Sequence, residues 1–180
     1  METTTKPSTA GIALKYGAIA ALVSIIYGTI MQIAGLATDP AMTVVSFVVS
    51  VGIFTAAIVY AMKDFKSQSG GYMSYGEGLG LGSLLSAVAG LISSAFSAIY
   101  IGFIDDSSMK KSMAMQRQAM EQQGQDDAQI DQAMAMAERF TGPGFIFFFG
   151  FLASLFLGFI LSLIIAAVMK KDRMELEMDR

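Results

Sequence analysis

Apolar residues fill four long runs of this chain, at 12–36, 41–62, 78–104 and 144–169, each about 22 to 27 residues long. Short polar joints separate the first three, and one long polar stretch precedes the fourth. About 20 apolar residues at ~1.5 Å rise cross the hydrocarbon of a bilayer as a helix. The runs lack the polar face that a soluble amphipathic helix or strand keeps toward water. The pattern therefore predicts an all-α integral membrane four-helix bundle. The expected division is a disordered tail over 1–11, spans one to three over 12–104, an extramembrane helical hairpin over 105–143, the fourth span over 144–169 and a second tail over 170–180.

The placement of Lys and Arg sets the expected orientation. Lys6 and Lys15 flank the first span, Lys63 and Lys66 lie in the second connection, and Lys170, Lys171, Arg173 and Arg180 follow the last span. The first connection, 37–40, has no Lys or Arg. The positive-inside rule then puts both termini and the 63–71 loop in the cytoplasm. Lys110, Lys111, Arg117 and Arg139 on the outer side run against that assignment, and the acidic residues around them count little in the rule. Only 11–17 precede the small-residue site at Ala18-Ile19-Ala20, too short for a signal-peptide core, so the first span is expected to stay as an anchor.

The polar stretch 105–143 is too long for a structureless loop, and its Ala, Met, Gln, Glu and Arg content favours helix. Gly124 is placed to end one helix, and Asp126 with Gln129 to start another. Two helices are expected, over 108–123 and 127–140, folded as a hairpin. Met109, Met113 and Met120 would line one inner face, with Ile130, Met134 and Ala137 on the other. Hairpin core is the plain reading of the Met stripe. An adaptable partner surface is a second, and Cu(I) binding through thioethers a weaker third. Gly142-Pro143-Gly144 stops the hairpin and restarts the chain as the fourth span.

Composition narrows the chemistry. Of 180 residues 54% are hydrophobic and 15% charged, with no Cys and no His. Thiolate nucleophiles, disulfides and zinc sites of Cys or His are excluded, so no metal and no cofactor are expected. A formal charge of −3 without any Lys/Arg block argues against nucleic acid. The spans carry no charge near the midplane, and the acidic pairs Asp105-Asp106 and Asp126-Asp127 sit where helix caps are expected. The chain does not read as an enzyme.

Small residues recur at every fourth position of the third span: Gly78, Gly82, Ser86, Gly90, Ser94, Ala98 and Gly102. The fourth span repeats the spacing with Gly150, Ser154, Gly158, Ser162 and Ala166, and the first has a shorter version in Ala20, Ser24 and Gly28. Such ridges let helix backbones approach closely in lipid. An i+4 ridge precesses by ~40° per step. The third-span ridge is therefore expected to be divided between the fourth span and either a different helix or a second subunit.

Two polar residues of the spans are candidate sites. Gln32 needs a hydrogen-bond partner in lipid, with Ser46, Ser50 and Tyr100 as candidates; interhelical glue is the plain reading and a transport path the sharper one. Glu77 fits a capping box with Ser74, and an ion or proton site at the membrane edge is its alternative. Lys15 is expected to snorkel to the headgroups. Phe145, Phe147, Phe148, Phe149 and Phe151 face too many directions for one site and are expected to meet lipid and to pack at the outer interface.

The segment Gly70-Gly71-Tyr72-Met73-Ser74-Tyr75-Gly76-Glu77 resembles a signature of a bacterial membrane-protein family, domain of unknown function family 4199. The resemblance continues through Tyr100 and Asp105, Met115-Gln116-Arg117-Gln118, Glu121-Gln122-Gln123-Gly124, Ile130-Asp131-Gln132-Ala133-Met134 and Gly142-Pro143-Gly144-Phe145. It implies four membrane helices with a polar insert before the last, in the bacterial cytoplasmic membrane, and carries over no catalytic or binding residue. The leading expectation is a non-enzymatic scaffold or interaction protein, self-associating or bound to another membrane protein. A small transporter or channel subunit is the alternative.

Overall fold

A computed structural model describes residues 8–171 of the chain. Six α-helices follow in order: α1 (Thr9–Ile33), α2 (Pro40–Gln68), α3 (Tyr75–Ile99), α4 (Ser107–Gln122), α5 (Asp127–Arg139) and α6 (Pro143–Met169). A π-helical turn, Tyr100–Ile104, prolongs α3. Four of these units are long and apolar enough to cross a membrane: α1, α2, α3 with its π turn, and α6. Large side chains such as Leu22, Val48, Phe156 and Val168 lie open on their outer surfaces, which suits hydrocarbon as the solvent. The protein is an integral membrane four-helix bundle with a helical hairpin, α4 and α5, between the third and fourth spans.

Side chains visible in the sequence cap three of the six helix starts. Ser8 Oγ accepts from Gly11 N at 3.1 Å, so α1 begins at Thr9 rather than at the expected residue 12. Residues 1–7 and 172–180 of the two expected tails lie outside the described residues. Asp39 Oδ1 accepts from Ala41 N and Met42 N at 2.8 and 3.1 Å, with Pro40 opening α2. Ser74 Oγ accepts from Glu77 N at 3.3 Å, while Glu77 Oε2 accepts from Ser74 N at 3.0 Å, closing a capping box at α3. Ser74→Ala is expected to lower stability by about 1 kcal/mol, read by thermal unfolding in mild detergent.

The second connection is shorter than expected because α2 runs on to Gln68. Its buried stripe of Phe54, Ile58, Ala61, Met62 and Phe65 keeps helical spacing past the end of the apolar run. Gly70 and Gly71, with φ of 67° and 92°, then turn the chain as few L-residues can. Lys63 and Lys66 consequently stand on a helix, and Lys66 Nζ donates to Met169 O at 3.0 Å, where the last carbonyls of α6 need partners. Met73 and Lys171 exchange backbone hydrogen bonds of 3.1 and 2.9 Å beside it.

α3 is the central helix. Its longest contact is with α6, its next with α1, and α2 closes over the group. The main core, around Ile58, Met62, Phe65, Met73, Leu81 and Leu85, lies at the end where α1 begins and α6 stops. Toward the hairpin end burial falls away along α1, where Leu22, Ile26 and Ile30 are exposed. α4 and α5 contact mainly each other, through buried Ile130 and an ion pair of Arg117 Nη2 with Asp131 Oδ1 at 3.2 Å. Asp126 starts α5 without a side-chain cap bond, unlike the arrangement expected for it, and Gln129 N donates to its backbone carbonyl instead.

Candidate functional site

The ridges of α3 and α6 meet rung by rung. A Cβ built on Gly78 would stand 3.0 Å from Ala166 Cβ, one on Gly90 would stand 2.7 Å from Ser154 Cβ, and one on Gly150 would stand 3.2 Å from Ser94 Cβ. Between these rungs, a Cβ on Gly82 would collide with Ser162 Oγ and one on Gly158 with Ser86 Oγ. Each of these rungs thus sets a glycine on one helix against Ser or Ala on the other, so only one side chain stands between the two backbones. Ser86 Oγ donates to Gly82 O at 2.8 Å and Ser162 Oγ to Gly158 O at 2.6 Å, which satisfies both buried hydroxyls within their own helices. Ala98 is buried along the same ridge, and Gly102 lies against Pro143, whose Cγ would be 2.9 Å from its Cβ.

α6 follows the α3 ridge from Gly78 to Gly102, and α2 also reaches it, with Ile58 Cγ2 3.4 Å from a Cβ built on Gly82. Two helices that wrap around one another keep a precessing ridge in contact, which a straight neighbour does not. α1 packs elsewhere on α3: a Cβ on Gly17 would lie 2.8 Å from both Leu85 O and Val88 Cβ. The buried small residues of α1 are Ala13, Gly17 and Ala21 beside Ala20. Ser24 is only half-buried, and Gly28 has no neighbour within 4 Å of its Cβ direction.

Where α1 and α3 diverge, a cleft of about 240 Å³ opens between them. Ser24, Thr29 and Gln32 line it from α1, and Ser93, Ser97 and Tyr100 from α3 and its π turn. Gln32 Nε2 is buried there without a hydrogen-bond partner. Of its three expected partners, Ser46 pairs with Tyr27 Oη at 3.2 Å and Ser50 Oγ donates to Ser46 O at 2.8 Å. Tyr100 alone shares the cleft with Gln32. The π turn starts at this tyrosine, whose carbonyl accepts from Asp105 N at 2.9 Å. π segments often mark functional positions in helices.

The remaining candidates have structural surroundings. Glu77 is in its capping box, where Ser74 Oγ also lies 3.0 Å from Oε2. Lys15 does not snorkel alone: its ammonium is 3.1 Å from Asp64 Oδ2 on α2 and over the Tyr16 ring. Phe145 and Phe149 stack, while Phe140 and Phe148 meet them edge-on, so part of the Phe group ties the end of α5 to the start of α6. Outside the spans, the Ser107 hydroxyl and backbone N–H hold the Asp105 carboxyl below the usual carboxylate range. No group of three Asp or Glu residues suited to a metal is present among the described residues.

A family model described as "Protein of unknown function (DUF4199)" matches residues 15–171. The chain belongs to this family. The match takes in the first span from Lys15 onward, the other three spans, the hairpin, the α3–α6 seam and the cleft. No curated protein and no solved structure matches the chain. The Gly70-to-Glu77 stretch of this DUF4199 chain forms the tight turn and capping box that launch α3, and Gly142-Pro143-Gly144 launches α6.

Proposed function

We propose that this protein is a non-enzymatic scaffold of the bacterial cytoplasmic membrane, with both termini cytoplasmic, that associates with a second copy of itself through the external α4–α5 hairpin. The observation that carries the reading is the hairpin's charge and exposure. α4 has no buried residue and bears Lys110, Lys111 and Arg117 against Glu121. α5 bears Asp127, Asp131 and Glu138 against Arg139. Within one hairpin Lys110 pairs with Asp106, and Arg117 with Glu121 and Asp131, so a twofold contact sets Lys111 of each copy against Glu138 of the other, the self-complementary arrangement of a symmetric dimer. The small-residue ridges are taken up between α3 and α6, which leaves the hairpin as the better assembly surface.

The test is native mass measurement of the whole chain in mild detergent across protein concentration. Wild type is expected to form dimers, and Lys111→Glu to weaken them about fivefold, the scale of an exposed charge contact. Adding Glu138→Lys to that variant is expected to restore them. A wild type that stays monomeric, or a dimer indifferent to Lys111→Glu, overturns the proposal. The gathering of Gln32 and the hydroxyls in one cleft favours a second reading, a small transporter. Against it, Ser24 to Gln32 covers ~12 Å of axial rise beside a hydrocarbon core of ~30 Å.

A further inference from the structure

We infer that the cleft between α1 and α3 is a binding site for an uncharged amphiphile whose head group presents carbonyl or hydroxyl oxygens. This goes beyond the scaffold reading and stands whether or not the hairpin dimerises. Gln32 Nε2 is a donor held out of solvent with no acceptor in reach, and native structures leave few such groups. An oxygen acceptor on a ligand supplies the bond it lacks. Ser24, Thr29, Ser93, Ser97 and Tyr100 line the same cleft beyond hydrogen-bond reach of Nε2, and their hydroxyls can donate to or accept from the rest of such a head group.

Charge decides the class of ligand. No Asp, Glu, Lys or Arg lines the cleft, so an anionic phosphate or carboxylate finds no cation and an ammonium finds no carboxylate. Both walls belong to membrane-spanning units, where an unpaired ligand charge is costly. A neutral oxygen-bearing head group meets neither penalty. Apolar surface from Phe96 and Ile101 gives the first part of a tail its contact, and the Phe96 and Tyr100 rings, 5.8 Å apart, form an aromatic wall. Acylglycerols and quinones share this chemistry. At about 240 Å³ the cleft is smaller than a drug-sized ligand pocket, so it takes the head group and the first part of a tail, with the rest of the tail left in lipid.

The experiment is native mass spectrometry of the full chain in mild detergent, titrated separately with dioleoylglycerol, decylubiquinone and phosphatidylglycerol. Saturable binding of one neutral lipid per chain, not displaced by phosphatidylglycerol, is the expected result; the lipid that binds tells an acyl ester from a quinone. Gln32→Leu is expected to weaken binding about tenfold, the effect of one neutral hydrogen bond made to an otherwise orphaned group. Gly28 also lines the cleft, and a Cβ there meets nothing within 4 Å. Gly28→Leu should therefore fill the space and abolish binding while thermal unfolding stays at or above the wild-type temperature, which keeps the test decisive even where Gln32→Leu folds poorly. Failure of both neutral lipids to bind overturns the inference, as does preference for phosphatidylglycerol or undiminished binding to Gly28→Leu.

Discussion

Gly158→Ser is expected to destabilise the bundle by about 3 kcal/mol, the upper range for overpacking a fitted interior, and Ser86→Gly added to it should recover most of that loss. The added Cβ has no free volume, because Ser86 already fills the space in front of Gly158. Turning Ser86 to another rotamer does not relieve the clash, since its own Cβ would collide with the new one and stays fixed to the backbone. The α3 and α6 backbones must part, and the adjoining rungs at Gly82 and Gly90 open with them. Exchanging the two residues puts the hydroxymethyl group on the opposite helix and keeps the rung's volume. Ser86→Gly alone should cost about 1 kcal/mol through backbone entropy and lost packing. Unfolding in detergent, followed by temperature or by added denaturing surfactant, gives the four corners of this double-mutant cycle. A strong favourable coupling is the expected outcome. A tolerated Gly158→Ser, or an exchange no better than that single change, contradicts the rung-by-rung seam.

That cycle also marks how far the sequence reaches. The spans are legible because crossing a bilayer depends on local composition, and the capping box of Ser74 and Glu77 because its partners are three residues apart. The spacing of Gly and Ser along α3 and α6 is visible for the same reason, being periodic within one segment. Which helix takes a ridge depends on how two helices wrap, and the segment alone does not carry that. Lys15 and Asp64 are 49 positions apart, so their ion pair has no local signature. In α1 two interleaved series of small residues compete, Ala13-Gly17-Ala21 and Ala20-Ser24-Gly28. The burial of Gly17 against α3 settles the choice for the first series, and nothing in composition does.

The cleft was less legible still. Gln32 is noticeable as an amide in an apolar run, but its hydrogen-bond state depends on what Tyr27, Ser46 and Ser50 do with one another. The π turn at Tyr100–Ile104 has no composition that separates it from α-helix. It contains Gly102, where the ridge meets Pro143 one residue away from the register set by the earlier rungs. A wider turn shifts the register of the helix that follows it.

Gly17→Val and Gly28→Ala should move stability in opposite directions, although both replace a glycine inside the same helix. Relative to glycine, alanine favours helix by about 1 kcal/mol wherever space allows. At Gly28 a Cβ has no neighbour within 4 Å, so Gly28→Ala is expected to gain up to about 1 kcal/mol. At Gly17 the same atom would stand 2.8 Å from the Leu85 carbonyl and from Val88 Cβ, both parts of α3 that no rotamer change removes. Valine adds two methyl groups to that contact, and about 3 kcal/mol of overpacking overwhelms its modest helix preference over glycine. The damage passes directly to the position of Leu85, which belongs to the main core with Ile58, Met62 and Phe65. Thermal unfolding of the two variants beside wild type in one detergent measures both effects. Equal shifts at the two positions would mean that α1 does not approach α3 at Gly17, and the bundle's arrangement around α3 would then have to be redrawn.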